Sequence, residues 1–264
     1  MEQKEVEERK GDGRDATDLV SFGYRQVRPD EKERLIQDQF DAIARKYDLM
    51  NTVLSFGMHL LWKRTAVAAA GLREGERVLD VCGGTGDLSL LAGRGVGNTG
   101  AVVLCDMNRA MMEVGKERME GSSAGRGILW VQGDAEQICF RDNSFDRVLV
   151  AFGVRNLVRL EEGLREMYRV LKPGGRFVCL EFSRPTSRWF RRLYDFYSFY
   201  VMPLAGRLIA GSQSAYTYLP ESVRTFPDPD RLCAILREAG FSSVGFRRLT
   251  NGIAVIHVGE KGTD

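Results

Sequence analysis

The residues best suited to chemistry lie in one stretch, Val78-Leu79-Asp80-Val81-Cys82-Gly83-Gly84-Thr85-Gly86-Asp87. An apolar run broken by one acid leads into a glycine turn, and the amphipathic segment Leu88-Ser89-Leu90-Leu91-Ala92 follows. A strand–turn–helix unit of this kind offers unpaired N–H groups and a partial positive field at the helix start, and its glycines let a ligand approach the backbone. That is the pattern of a first βα cofactor turn. A dinucleotide fingerprint would need a third glycine where Asp87-Leu88-Ser89 stands, and a phosphate loop would need Gly-Lys-Ser/Thr. Asp87, directly behind the turn, would repel a phosphate, and Asp80 points the same way. A cationic adenosine ligand without phosphate fits better. S-adenosylmethionine has that chemistry: a sulfonium, an amino group, a ribose diol and an adenine. The competing reading is a tight turn with no ligand.

Ligands in open α/β sheets sit beyond the C-terminal strand ends, and further candidates fall there. Asp106 closes the next strand-like run, about 20 residues after the turn, where an acid accepts from both ribose hydroxyls. Its alternative role is capping the helix that follows. Asp134 closes the third run; its carboxylate can accept from the adenine amino group, and the Ala135 N–H can donate to a ring nitrogen. The alternative is an ordinary loop acid. Thr85 and the backbone through Gly84 and Gly86 would hold the methionine end, with Asp80 and Met107 completing the donor-side set.

These side chains need a scaffold. Residues 77–81, 101–105, 128–131, 145–150 and 176–182 read as strands, and 87–94, 108–119 and 160–171 as helices between them. Asn108 is a candidate cap, and Lys172-Pro173-Gly174-Gly175 stops the third helix. Residues 229–239 read as a helix, and 241–249 and 253–258 as strands joined around Asn251-Gly252, a hairpin signal. The alternation predicts an α/β, Rossmann-like methyltransferase fold: a mostly parallel seven-stranded sheet with a C-terminal antiparallel hairpin. Ahead of it, 30–47 reads as a helix with Asp30 as N-cap, and 62–70 as another. The expected division is a disordered tail over 1–20 and one domain over 21–264, with a helical N-terminal cap (30–70) and an acceptor-side insertion (186–222).

Composition narrows the class. The chain has 264 residues, 44% hydrophobic and 28% charged, enough for a large core. A net charge of +2 supports no claim on nucleic acid. Five scattered cysteines, no C-x-x-C pair and only two histidines read as reduced thiols of a cytoplasmic protein without a metal site. No signal peptide, membrane-length apolar run or internal repeat is visible.

Several longer motifs are more particular. They are Phe22-Gly23-Tyr24-Arg25-Gln26-Val27, Tyr47-Asp48-Leu49-Met50-Asn51, Ser55-Phe56-Gly57-Met58-His59, and the glycine turn itself. Phe152-Gly153-Val154-Arg155-Asn156, Met167-Tyr168-Arg169-Val170-Leu171-Lys172-Pro173-Gly174-Gly175, Leu180-Glu181-Phe182-Ser183 and Tyr216-Thr217-Tyr218-Leu219-Pro220-Glu221-Ser222 complete the set. With these, the sequence resembles the ubiquinone/menaquinone biosynthesis C-methyltransferases over residues 22–257. The resemblance implies S-adenosylmethionine contacts at Thr85, Asp106, Asp134 and Ala135, and a reduced demethylquinone with a polyprenyl tail as acceptor. It also has departures. Ala151 stands where the family usually has Ser, so that hydroxyl contact to the donor is lost or replaced. Tyr200 stands where His is frequent, and Gly211 where Asn is common.

Methyl transfer to carbon is an in-line displacement, so positioning carries much of the acceleration. A ring carbon is a poor nucleophile until a ring hydroxyl loses its proton. Under the resemblance, Arg155 and Asn156 are the catalytic candidates, stabilising the phenolate or holding a ring oxygen. The alternative is that Arg155 pairs with Glu181 and Asn156 caps a helix. Asp48 and His59 are alternative bases and, with Asn51, Tyr200, Tyr216 and Tyr218, substrate-side candidates. The aromatic, arginine-bearing stretch 188–211 reads as a lid and a surface for the inner face of the membrane, or else as a sheet-edge helix or homodimer contact. Two rival functions stay open: methylation of another lipid or aromatic acceptor, and a non-catalytic scaffold in a quinone-biosynthesis complex.

Overall fold

The computed structural model describes residues 19–120 and 127–263. A hairpin, β1 (Val20–Phe22) and β2 (Arg25–Val27), leads into α1 (Pro29–Ile43), α2 (Tyr47–Leu54) and α3 (Met58–Ala70). The sheet is then laid down by β3 (Arg77–Val81), α4 (Asp87–Val96), β4 (Ala101–Asp106), α5 (Arg109–Met119), β5 (Ile128–Gln132), β6 (Phe145–Ala151), α6 (Leu160–Val170) and β7 (Leu171–Phe182). An insertion follows: α7 (Arg188–Phe196) and α8 (Met202–Ala205), each continued by a π-helical turn (Tyr197–Val201, Gly206–Ala210), then α9 (Gln213–Thr225). The chain closes with α10 (Pro229–Glu238), β8 (Ser242–Leu249) and β9 (Ala254–Glu260).

The seven strands lie in the order β5-β4-β3-β6-β7-β9-β8. β3 to β7 are mutually parallel, and β9 runs antiparallel between β7 and β8. Val78, Leu79, Asp80 and Val81 are all buried, without the alternation of a half-exposed strand, because helices cover both faces. Leu164 and Met167 of α6 and Leu232 and Leu236 of α10 pack on one face. Trp62 and Ala66 of α3, Leu88 and Ala92 of α4, and Met112 of α5 pack on the other. The chain moves outward from β3 to β5 and returns to β6 on the other side of β3. The crevice that binds ligands in such sheets therefore opens beyond the ends of β3 and β6.

The expected strands and helices are present, and the differences have physical causes. The tail expected over 1–20 lies mostly outside the described residues, but Val20 is already paired with Val27. Asp30 is not the N-cap of α1: Pro29 takes the first helical position, where its missing N–H costs nothing, and Asp30 sits in the first turn. The expected single helix over 30–47 breaks at a 3₁₀ turn, Ala44–Lys46, so that Tyr47 starts a new helix. Lys172 to Gly175 ends α6 but does not delay the strand: Leu171 pairs with Phe145 and Arg176 with Arg147, leaving the four residues as a bulge opposite Asp146. Asn108 caps α5 as its position suggests, accepting from the Met111 N–H at 2.8 Å.

The N-terminal helices and the insertion share a small core of their own, in which Ile43, Met50, Leu54, Met202 and Tyr216 are buried. Among the described residues no helix is long and apolar enough to cross a membrane. Met50 is fully buried at the centre of this second core. Met50→Ala is expected to lower the unfolding free energy by about 2–5 kcal/mol, measured by denaturant titration.

Candidate active site

The backbone turns sharply where β3 and β6 end. Cys82 and Phe152 both adopt left-handed conformations, at φ +53° and +59°, an uncommon geometry for residues with side chains. Gly153 must lack a side chain because a Cβ there would lie 2.4 Å from the Cys82 Cβ. A cleft of about 120 Å³ opens between these ends, lined by Cys82, Gly84, Asp106, Met107, Asp134, Ala135, Ala151 and Asn156. The Asp106 carboxylate accepts from the Gly84 and Asn108 N–H groups, each at 2.7 Å, and burial raises its pKa. One lone pair on each oxygen remains for a diol. Asp134 accepts from the Glu136 N–H at 2.8 Å. Helix α1 roofs the cleft through Glu33, Ile36, Gln37 and Phe40. It is held down where Lys32 Nζ donates to the Leu157 carbonyl (2.6 Å) and Asn108 Nδ2 donates to Asp41 (2.8 Å).

A smaller recess of about 30 Å³ adjoins the cleft, lined by Asp80, Gly84, Thr85, Asp87, Lys63 and Tyr47. Asp80 accepts from Ser89 Oγ at 2.6 Å, and burial pushes its pKa up to about 7. Asp87 behaves differently. Burial opposes its ionisation, but Lys63 at 2.8 Å and Arg118 at 2.7 Å overcome that and bring its pKa down to about 2. The charge of Asp87 is thus offset by two cations, so it does not stand free to repel a phosphate as its place in the sequence suggests. Asp48 is drawn into the same network. It accepts from Thr85 Oγ1 at 2.7 Å and pairs with Arg118 at 2.5 Å, so it lines the donor turn's support and not a substrate cavity.

On the far side of Tyr47 and Phe152 lies a larger cavity, about 450 Å³, walled by Phe40, Trp62, Phe182, Phe190, Tyr194, Tyr197, Tyr216 and Tyr218. Phe40, Tyr47 and Phe152 line both this cavity and the donor cleft. Asn51, His59 and Arg155 also line it. Arg155 is buried and pairs with Glu181 at 2.9 Å, the partner that was its alternative reading, while its guanidinium lies 5.4 Å from the Phe182 ring centroid. Asn156 falls on the donor side, where its Oδ1 accepts from Tyr218 OH at 3.1 Å. Tyr200 is not at the cavity: it is 68% exposed and packs on Phe196. The π-helical turn accounts for this, because it shifts the helical phase and turns Tyr197 and Ser198 inward instead. Four buried side-chain nitrogen or oxygen atoms have no hydrogen-bond partner among the described residues. Three of them, His59 Nδ1, Arg155 Nε and Tyr216 OH, belong to residues lining this one cavity. Buried polar atoms are rarely left alone, and their concentration here gives an otherwise apolar pocket a few polar points.

Sequence reasoning missed Lys32, Lys63 and Arg118. Each reads as an ordinary solvated helix charge, yet Lys32 and Lys63 are nearly fully buried.

The ubiE/COQ5 methyltransferase family model matches residues 25–261. The chain belongs to this family. It is 48% identical over 255 residues to the ubiquinone/menaquinone biosynthesis C-methyltransferase UbiE of Pseudomonas putida, covering 97% of this chain and 99% of the relative. The UbiE of Azotobacter vinelandii is 46% identical over 250 residues, covering 95% and 99%. Among solved structures, a SAM-dependent methyltransferase of Thermotoga maritima superposes with a TM-score of 0.60 at 20% identity, covering 85% of this chain and 99% of that one. Phosphoethanolamine N-methyltransferase 2 of Haemonchus contortus, solved with S-adenosyl-L-methionine, gives 0.55 at 15% identity, covering 76% and 52%. These two share the fold. Family membership makes the chain a S-adenosylmethionine-dependent C-methyltransferase, as its motifs implied.

The Asp87 carboxylate titrates at about 2 in the folded chain, against about 3.9 when unfolded. Its contribution is therefore complete above the unfolded value and disappears as pH falls through the folded one. Asp87→Asn is expected to cost about 2 kcal/mol at pH 7. The gap to wild type should close between pH 4 and 2 in chemical unfolding series.

Proposed function

We propose that the protein methylates a ring carbon of a reduced polyprenyl quinone precursor, with S-adenosylmethionine as donor. One observation carries this reading: an aromatic cavity bearing three unpartnered polar atoms shares the wall of Phe40, Tyr47 and Phe152 with the donor cleft. A quinol is apolar in its ring and tail and polar only at its ring oxygens, which matches such a pocket. The matched relatives carry ubiquinone/menaquinone biosynthesis in their names, and that supports the same acceptor class.

When bound, S-adenosylmethionine supplies an electrophilic methyl group. The chain's residues fit it. Asp106 and Asp134 stand at the strand ends with acceptor lone pairs for the ribose and the adenine, and Ala135 and Met107 flank them. Asp80 and Thr85, with the Gly83–Gly84 backbone, line the recess suited to the methionine end, whereas Gly86 packs toward Met119, Trp130 and Leu104 and does not line it. Ala151 leaves that recess without a side-chain hydroxyl. Arg155 holds positive charge in an apolar wall, where it favours an ionised ring oxygen. Tyr216 OH and Asn51 orient the ring.

The cavity mouth is apolar outside as well. Phe56 and Leu193, which line it, are 83% and 51% exposed, and in the insertion Trp189 is 72% and Leu208 74% exposed, with Arg188, Arg192 and Arg207 exposed close to them in sequence. This supports a cytoplasmic protein resting on the inner membrane face, from which a prenylated substrate enters; a homodimer contact on the same surface is the competing outcome. Trp189→Ser with Leu208→Ser is expected to reduce sedimentation with anionic vesicles several-fold while sparing turnover of a short-tailed quinol. Unchanged sedimentation, or dissociation of a dimer by the same pair, would remove the membrane reading.

Transfer of labelled methyl to a panel of demethylquinols tests the function itself. The reduced form should be methylated on carbon and the oxidised quinone should not. Arg155→Met combined with Glu181→Gln removes the ion pair without stranding a buried charge. It should cut turnover about 100-fold while leaving S-adenosylhomocysteine affinity within a few-fold. Equal loss of both would show that Arg155 only supports the fold.

A further inference from the structure

Making a ring carbon nucleophilic requires somewhere for the hydroxyl proton to go, and the cavity wall offers few takers. Among the described residues, its lining contains no Asp, Glu, Lys or Cys. Arg155 stays charged, and Glu181, its partner, already accepts from Arg155 Nη1 and from the Arg155 and Phe182 N–H groups. Asp48 is engaged by Thr85 and Arg118 away from the cavity. Tyr216 is kept protonated by burial, so it donates.

His59 differs. It is 4% exposed, and its Nε2 lies 3.1 Å from Thr52 Oγ1. The single Thr52 hydroxyl proton is already donated to the Asp48 carbonyl, at 2.8 Å. Thr52 can therefore only accept from the ring, which places the imidazole proton on Nε2 and leaves the Nδ1 lone pair free. Nδ1 is the atom without a partner. The backbone at His59 is also fixed, because its N–H donates to Ser55 Oγ at 3.2 Å and Ser55 donates to the Asn51 carbonyl at 2.6 Å.

We propose that His59 Nδ1 is the base that takes the ring-hydroxyl proton of the acceptor, with Thr52 and the Asp48 carbonyl setting its tautomer. This rests on the quinol reading above. The O–H bond breaks and an N–H bond forms at Nδ1. The ring carbon then uses its electron pair to form the new C–C bond as the donor's S–CH₃ bond breaks, and sulfur keeps that pair. The hydrogen displaced from the methylated carbon leaves to water as a proton, and the ring oxygen regains its proton from His59. One proton is released per methyl transferred, and His59 ends as it began. The charged groups facing the imidazole are Lys63 on α3, Asp87 on α4 and Asp48 on α2. Burial and then Lys63 lower its pKa, against Asp87 and Asp48, so the ring is neutral and able to accept at neutral pH.

His59→Gln is the informative variant. The glutamine amide can replace Nε2–H in the bond to Thr52 but has no base at the Nδ1 position. The expected result is a fall in kcat on a demethylquinol of about 10²–10⁴-fold, with S-adenosylhomocysteine affinity and melting temperature close to wild type. Turnover of the variant should recover as pH rises and the quinol ionises unaided, and the acid limb of the wild-type profile should vanish. Thr52→Val, which frees the tautomer, should give a smaller loss of the same kind. A His59→Gln enzyme within threefold of wild type, or one whose loss is the same at every pH, overturns the proposal. A wild type inactive on every quinol overturns the acceptor reading, and this inference falls with it.

Discussion

Five side chains tie the N-terminal helices to the glycine turn. Arg118 bridges Asp48 and Asp87 and donates to the Thr85 carbonyl, Thr85 donates to Asp48, and Lys63 closes the set on Asp87. A partly buried network of this kind gains little net stability against a well-packed apolar one, but breaking the Lys63–Asp87 pair strands a charge. Its effect is geometric. Asp48 follows Tyr47 on α2, and Lys63 lies one helical turn after His59 and beside Trp62 on α3. Fixing the two charges fixes the wall that the cleft and the aromatic cavity share. The glycine turn and the aromatic cavity are thereby held in register by one set of ion pairs.

The sheet contributes the other half of the arrangement. Parallel strands flanking the point where strand order reverses leave their ends adjacent, and left-handed residues at both ends turn the chain away. Acids at successive strand ends then face one cleft. Beyond it the protein abandons polarity: the larger cavity is built from aromatic rings on α1, α2, α3, β7, α7 and α9. Under the proposed reaction, a charge developing on a ring oxygen in such surroundings is felt strongly by Arg155, because little water screens it. Excluding water also protects a sulfonium donor from side reactions.

Much of this was legible in the chain. The apolar runs of the central strands, the glycine turn and Asn108 all carry local signals strong enough to read. So did Asp106 and Asp134, because a strand-end acid is placed by the sheet alone. What escaped depends on contacts between distant segments. Lys63 and Arg118 look like solvated helix charges until α3 and α5 are brought to the same turn, and without them Asp87 looks like a free anion. Tyr200 was misplaced because the π-helical turn at Tyr197–Val201 shifts the helical phase, and such a turn leaves no mark in hydrophobic periodicity. The β1–β2 hairpin is too short to show alternation.

The central claim is that a donor in the strand-end cleft meets an acceptor ring across the Tyr47–Phe152 wall. A crystal structure with S-adenosylhomocysteine and a menadiol-type ring tests it most directly. The account predicts the ribose on Asp106, the sulfur facing Tyr47 and Phe152, and the ring in the aromatic cavity with an oxygen within hydrogen-bonding distance of His59 Nδ1. A ring bound elsewhere, or a nucleoside occupying the aromatic cavity, would contradict it.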